Sequence, residues 1–373
     1  MSFFTIPSLL FLACVYAAPH ALQVKRAVTP TVSGTPEVIG VASDPTWTRD
    51  SCTSTRVRDR ALWTCRDSQS SEAFLSSTAS WTNSTPGGTP NVEDGVLTMY
   101  GTNPSSAAFF PVQSSECGGS AGACSDGTRY ALWQNTRPLP VDTGSDGSMS
   151  LYTWIANTHI SADMTTLNPN PATSLYRSDH SADATTDALP STTLVNQDFW
   201  PADSIPYGNY GFVISDSTAY LYGLLNGSST VALAKVPLDS IEDKTAYSYY
   251  TSSGWSATAP SLTDTSAAVV NAGTGGQGTY YYSSYFSAFV WIGAPYYGDN
   301  AAFLIATAPA PEGPWTTPTQ FYVGEQGTAA LGAYSQQAHP GLSADYGSGK
   351  DIYLTYTKVD AEYSTPLIHV VWG

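Results

Sequence analysis

The chain has 373 residues, with 14 Lys and Arg against 30 Asp and Glu, a formal net charge of −16. Such a surface repels nucleic acid and anionic lipid, so neither is an expected partner. A polyanionic substrate would also be disfavoured unless arginines or a cation compensated locally. Only 12% of residues are charged, and Gly, Pro, Ser, Thr and Tyr are abundant, a composition that opposes long helices.

The N-terminal stretch from Ser2 to Ala18 is an apolar run ending in small residues, the form of a signal peptide, although it lacks the usual Lys or Arg near its start. Residues 19–26 form a short spacer ending in Lys25-Arg26, which resembles a fungal dibasic processing site. Removing residues 1–26 takes away those two bases and no acid, moving the balance from −16 to −18. Beyond it, no stretch has the about 18 uninterrupted apolar residues that a membrane span needs. The expectation is a secreted, extracellular protein of residues 27–373, a monomer with no membrane or nucleic-acid partner.

Cys14 falls within the signal segment, leaving Cys52, Cys65, Cys117 and Cys124. Four cysteines allow three pairings, and local spacing favours Cys52–Cys65 and Cys117–Cys124. A metal site is the rival reading, disfavoured because there is no C-x-x-C pair and no nearby His. Asn83-Ser84-Thr85 and Asn226-Gly227-Ser228 are glycosylation acceptors in turn-rich stretches.

Taken in chain order, short apolar or alternating runs bounded by Gly, Asp, Asn and Pro predict strands. They are Val38–Val41, Ala61–Cys65, Tyr130–Trp133, Ser150–Ile155, Tyr210–Ile214, Ala219–Leu225, Thr279–Tyr282, Ala288–Ile292, Ala302–Ala306, Ile352–Tyr356 and Leu367–Trp372. Strand groups recur about 50–70 residues apart, which favours an all-β, five-bladed β-propeller, with a jelly roll or double sandwich satisfying the same strand count. The Ser/Thr/Asp-rich tracts at 178–193 and 251–265 read as loops within one domain. In a propeller, Val38–Val41 and Leu367–Trp372 are the natural pair to close the ring.

Two stretches carry a resemblance. One runs Asp44-Pro45-Thr46-Trp47-Thr48-Arg49-Asp50-Ser51-Cys52 and on to Ala61-Leu62-Trp63-Thr64-Cys65-Arg66-Asp67. The other runs Ile305-Ala306-Thr307-Ala308-Pro309, then Glu312-Gly313-Pro314-Trp315, Tyr334, His339-Pro340 and Ile352–Tyr356. Together they cover about a third of the chain, and the pattern resembles five-bladed propeller glycoside hydrolases of the arabinanase and arabinofuranosidase kind. It looks closest to a group of secreted propellers with D-arabinan-cleaving bacterial members. The resemblance implies a glycoside hydrolase acting on an extracellular polysaccharide or oligosaccharide of the arabinan type.

Such chemistry needs two carboxyl groups flanking the scissile bond. Asp50, beside a cysteine expected to be bridged, is the first candidate, with Arg49 and Arg66 placed to keep it ionised. Asp67 is the second. Asp44 is the third, because the arabinanase families carry an Asp-Pro at this place. Each has an ordinary reading as a turn-capping or Arg-paired Asp. Asp203, in Asp198-Phe199-Trp200-Pro201-Ala202-Asp203, is a candidate partner, with Asp299 and Glu325 behind it and Glu312 discounted as an outer turn. Arg49, Trp200, Trp291 and Tyr334 are the candidate substrate contacts, the aromatic rings being suited to stack on sugars. His339 and Tyr334 keep a polysaccharide lyase open as an alternative, and 46 aromatic residues keep open a sugar-binding propeller without catalysis. No cofactor is expected. Asp142-Thr143-Gly144-Ser145-Asp146-Gly147 offers oxygens to Ca²⁺ but lacks the full ligand set of a known loop, so a turn is the favoured reading.

N-terminal sequencing of the secreted product tests the processing reading. Ala27 is expected first, and a product beginning at Ala18 or Pro19 would overturn it.

Overall fold

The structure is a computed structural model that describes residues 27–101, 103–119, 121–226, 229–296, 300–347 and 349–373. The signal segment, the dibasic pair and Asp299 lie outside the described residues. Among the described residues all regular structure is strand or short 3-10 turn, and no helix is long and apolar enough to cross a membrane.

Among the described residues six sheets have three or more strands: a small one of Thr48–Arg49, Ser68–Gln69 and Phe74–Leu75, and five larger meanders that follow one another along the chain, their consecutive strands pairing antiparallel, with further pairings at some edges. The first holds Thr53–Val57, Arg60–Cys65 and Thr78–Asn83. The second holds Leu139–Asp142, Met149–Ala156, Thr173–His180 and Ser191–Trp200. The third opens with Gly211–Ser215, Thr218–Leu224 and Val231–Pro237, and the fourth holds Gly278–Ser283, Ala288–Gly293, Ala302–Ala308 and Thr319–Val323. The fifth is made by Ala333–Ala338, Asp351–Val359 and Pro366–Val371, and is extended by Glu37–Ser43 from the start of the described chain. Glu37–Ser43 runs antiparallel to Pro366–Val371, with Glu37 opposite His369 and Val41 opposite Pro366. That is the terminal pairing expected from the sequence.

Strand alternation places side chains on both faces of a sheet, so each central strand feeds two cores. Leu151 and Ile155 join Val57, Leu62 and Trp81 of the first sheet, while Trp154 between them joins Phe212, Leu221 and Ala234 of the third. Phe289 and Trp291 likewise face Tyr222 and Leu233, whereas Val290 and Ile292 face Leu354 and Val370. The fifth sheet in turn packs on the first, through Ala42, Tyr353 and Leu367 against Ala61 and Trp63. This is why the apolar runs are short and apolar throughout: their two faces are both covered.

The first strands of the sheets, or the residues just before them, meet through polar bonds. Thr55 Oγ1 donates to the Pro138 carbonyl (2.6 Å), Asn135 Nδ2 to Asn209 Oδ1 (2.9 Å), and Thr279 Oγ1 to Gln337 Oε1 (2.6 Å). Ser54 Oγ shares a hydrogen bond with His339 Nδ1 (2.7 Å), tying the fifth sheet to the first.

Cys52–Cys65 and Cys117–Cys124 are both disulfide-bonded. The first joins the chain just before one strand to the end of the next and closes a 13-residue separation. Loop closure of that size is worth about 3 kcal/mol. The double variant Cys52→Ala/Cys65→Ala should keep its far-UV spectrum and lose about that much in chemical denaturation; an unchanged midpoint would show that the bridge constrains nothing.

Candidate active site

Asp50 sits in the bend that precedes the strand Thr53–Val57, and Asp67 in the bend that follows Arg60–Cys65. The hairpin between those strands brings the bends side by side. The Asp50 N–H donates to the Asp67 carbonyl (3.0 Å) and the Arg66 N–H to the Asp50 carbonyl (2.9 Å). The Cys52–Cys65 bridge fastens the same two segments.

From the far end of the chain, Tyr334 Oη donates to Asp50 Oδ1 at 2.6 Å, and Ser51 Oγ donates to the same oxygen at 2.5 Å. Ser51 in turn meets Ser335 Oγ at 2.6 Å, and its N–H donates to Thr357 Oγ1 at 3.0 Å. Ser51 and Ser335 both hold positive φ, 48° and 60°, a conformation that costs a non-glycine residue free energy and persists where surrounding bonds impose it. The strained pair lies directly under Asp50.

Burial pushes the Asp50 carboxyl above its ordinary value; the Arg66 charge and the two hydroxyl donors pull the other way, and the Asp67 charge adds to the rise. Tyr334 is pushed up as well, by burial first and then by the neighbouring Asp50 charge, so it remains a donor. Asp67 has different company: Arg129 grips both its oxygens and Trp133 Nε1 donates to Oδ2 at 3.1 Å. Arg66 donates to the Gln134 carbonyl and to Asn135 Oδ1, which fixes it where its charge acts on Asp50.

These groups form the floor of an open cavity of about 910 Å³. Phe74, Trp133, Met164 and Tyr363 give it apolar and aromatic walls, and Asp360 and Glu362 stand in the segment that borders it. The arrangement offers a buried carboxyl that holds its proton to higher pH than usual, a second carboxylate clamped by a guanidinium, and rings on which a flat apolar face can lie. Among the described residues no group of three His, Cys, Asp or Glu side chains is placed to hold a metal ion. The Asp142–Gly147 stretch is a turn in which Asp146 accepts from the N–H and hydroxyl of Ser148.

Of the residues singled out in the sequence, Asp50, Asp67 and Tyr334 come together here. Asp44 does not line this cavity: it caps its own turn through the N–H groups of Thr46 and Trp47, and its other oxygen pairs with Arg49 at 2.5 Å. Arg49 is thereby turned inward, bonded also to Ser80, and burial holds its pKa down to about 10. Arg66 takes the place beside Asp50 that the sequence offered to either arginine. Asp203 is exposed in a turn beside Asn170. Trp200 and Trp291 are buried in the cores between sheets, Trp200 donating to the Tyr207 carbonyl. His339 is fully buried between Ser54 and Thr355, its pKa pushed down to about 3 by burial and by the Arg137 charge. Glu325 points outward and pairs with Lys358 at 3.1 Å. Sequence reasoning missed Arg129, Trp133, Phe74 and Tyr363. The one local signal was Trp133, read only as part of a strand.

Because Asp50 titrates above an ordinary Asp in the folded state, its ionisation costs stability as pH rises from 3.8 through the folded value. Asp50→Asn does not titrate. The melting temperature of the variant minus that of the native chain should therefore rise across that window. A difference that stays flat or falls would show that burial does not dominate at Asp50.

A family profile described as "Domain of unknown function (DUF4185)" matches residues 149–369. Among curated proteins no match was found. A candidate hydrolase of Bacteroides ovatus superposes with a TM-score of 0.57 at 12% identity, covering 86% of each chain. A GH43_1 enzyme from Xanthomonas citri gives 0.47 at 10%, covering 90% of this chain and 89% of that one. The endo-1,5-α-L-arabinanase of Thermotoga petrophila gives 0.46 at 11%, covering 88% and 72%. At such identity the Bacteroides ovatus likeness speaks to fold alone, and the other two are looser still. The profile spans more than half of the chain, and the protein is a member of the family of the domain of unknown function DUF4185.

Proposed function

We propose that the chain is a secreted glycoside hydrolase acting on an extracellular polysaccharide, with arabinan as the first substrate to test, and that its five larger sheets are the blades of one closed propeller. The observation that carries the chemistry is the pair Asp50 and Asp67, adjacent on the floor of an aromatic-walled cavity but in unlike surroundings. Two carboxyl groups set apart by environment are the equipment for glycoside cleavage, one giving a proton to the leaving oxygen and the other acting as base or nucleophile. Asp50 takes the acid role, because burial favours its protonated form. This reverses the role that its neighbouring arginines suggested in the sequence. Asp67 takes the other, with Arg129 and Trp133 fixing its orientation. Trp133, Phe74 and Tyr363 supply faces for sugar rings.

Support for the propeller comes from the order of packing, sheet on next sheet and fifth on first, and from the polar contacts among the first strands. Two disulfides suit an exported chain, and Asn83 and Asn226 are exposed where glycans would sit. The lyase alternative loses one of its two groups, since His339 is sealed in and does not line the cavity, while Tyr334 lines it with its hydroxyl bonded to Asp50.

Reducing-end assays on arabinan and other polysaccharides test the reading. Asp50→Asn should cut turnover by about 10²–10⁴ with the fold intact, and Trp133→Ala should chiefly raise KM. An Asp50→Asn protein of full activity would remove Asp50 from the chemistry. Sugar binding by the native chain with no turnover on any substrate would leave a sugar-binding protein in place of an enzyme.

A further inference from the structure

At the other ends of the same first strands lies a second pocket, of about 520 Å³. Asp50, just before Thr53–Val57, and Tyr334, at the start of Ala333–Ala338, border the first cavity, whereas Arg56, near the end of Thr53–Val57, and Pro340-Gly341, just past Ala333–Ala338, border the second. Three arginines line it, Arg56, Arg58 and Arg137, and among the described residues none of them forms an ion pair. In so acidic a chain that is unexpected, since its 30 acidic residues outnumber its 14 basic ones by more than two to one.

Arg137 is the most telling of the three. It lies over the Phe212 ring at 4.3 Å and donates through Nη2 to the Tyr280 carbonyl at 3.3 Å, while its Nε is buried with no partner. Burial alone holds its pKa down to about 10, the mark of a cation that no neighbouring anion compensates. A guanidinium carries five donors, and a carboxylate matches its fork with two parallel bonds.

The other two arginines are held in place by backbone carbonyls, and only Arg58 has a carboxylate, that of Asp146, near enough to feel its charge. Arg56 donates to the carbonyls of Arg58 (2.9 Å) and Gly341 (3.2 Å) and lies 5.1 Å over the Tyr346 ring. Arg58 donates to the carbonyls of Asp146 (2.5 Å) and Ala182 (3.3 Å). Gly147 leaves room for it, because a Cβ there would collide with the Arg58 guanidinium. Tyr281, Tyr282 and Tyr346 are also in the lining, and Asp142 is the one acid in it.

We propose that this pocket is a second sugar site, which takes the carboxylate of an acidic sugar, a uronate, on Arg137 and its neighbours, with the ring against the tyrosines. The site is separate from the Asp50 cavity, and its occupancy is independent of the reaction assigned there. It would let the chain hold an acidic polysaccharide by one face while the other face stays free.

Isothermal titration of the intact protein with glucuronate and galacturonate, against glucose, galactose and sodium sulfate at equal ionic strength, tests this. The uronates should bind, and the neutral sugars and sulfate should bind at least about tenfold more weakly, as expected from losing either charge-assisted bonds or ring contact. Arg58→Ala, at an exposed side chain, and Arg137→Met should each weaken uronate binding by about tenfold, while Asp50→Asn leaves it unchanged. Absent uronate binding, sulfate binding of equal strength, or uronate binding untouched by both arginine substitutions would overturn the proposal. So would binding lost in Asp50→Asn and kept in the arginine variants, which would put the uronate in the first cavity.

Discussion

The seven residues Glu37–Ser43 stand between Pro366–Val371, from the far end of the chain, and the short strand Val96–Thr98 in one sheet, and the candidate site depends on the pairing with Pro366–Val371. Asp50 follows this strand by a few residues, and Tyr334, its donor, belongs to the first strand of the same sheet. Partners 284 residues apart in sequence thus meet because the chain closes on itself. Closure of so long a loop is entropically costly, and the apolar cluster of Ala42, Leu97, Tyr353 and Leu367 with Trp63 is what offsets it. The Ser54–His339 and Ser51–Ser335 contacts then add register to that closure.

The site itself is a contest between desolvation and local donors. A carboxyl removed from water loses more than two hydroxyl bonds and one nearby guanidinium return, so burial sets the sign at Asp50. At Asp67 a bidentate arginine is in direct contact. Two acids a single hairpin apart can therefore differ in chemistry although their sequence neighbourhoods look alike, each being an Asp beside an Arg. The strained Ser51 and Ser335 fit this picture, since holding a carboxyl off solvent requires backbone that a relaxed turn would not supply.

Much of the strand order was legible. Ala288–Ile292 and Ala302–Ala306 fall inside observed strands because both their faces are covered, and such runs are apolar without alternation. The disulfide pairing was legible from spacing, since each bridge is local. The site was legible only in its first half. Asp50 and Asp67 stand out beside a bridged hairpin, but which arginine faces Asp50 depends on the Asp44 turn, whose own carboxylate captures Arg49. Trp200 and Trp291 looked like sugar platforms because an aromatic side chain reads alike in a core and in a wall. Trp133 and Tyr363 could not be picked out, because they come from distant parts of the chain, a loop and a short strand, that only the fold brings to one cavity. His339 looked polar in sequence and is sealed by Trp63, Ser54 and Thr355.

Charge is distributed unevenly between the two ends of the first strands. At the Asp50 end, Arg66 and Arg129 stand among four carboxyl groups, Asp50, Asp67, Asp360 and Glu362, so that end favours a neutral sugar over an anionic one. At the opposite end, three arginines line a pocket with one acid in its lining, Asp142, and a second, Asp146, beside Arg58. With a net charge of −16 on the whole chain, that end is a local reversal of the surrounding potential. Surface carboxylates more than a Debye length away are screened at physiological salt, where that length is about 8 Å, whereas the partly buried Arg137 is screened much less. An anion close to the arginines would therefore feel their attraction more than the repulsion of the distant acidic surface, and the excess of acid on the chain does not by itself bar an acidic sugar from that end.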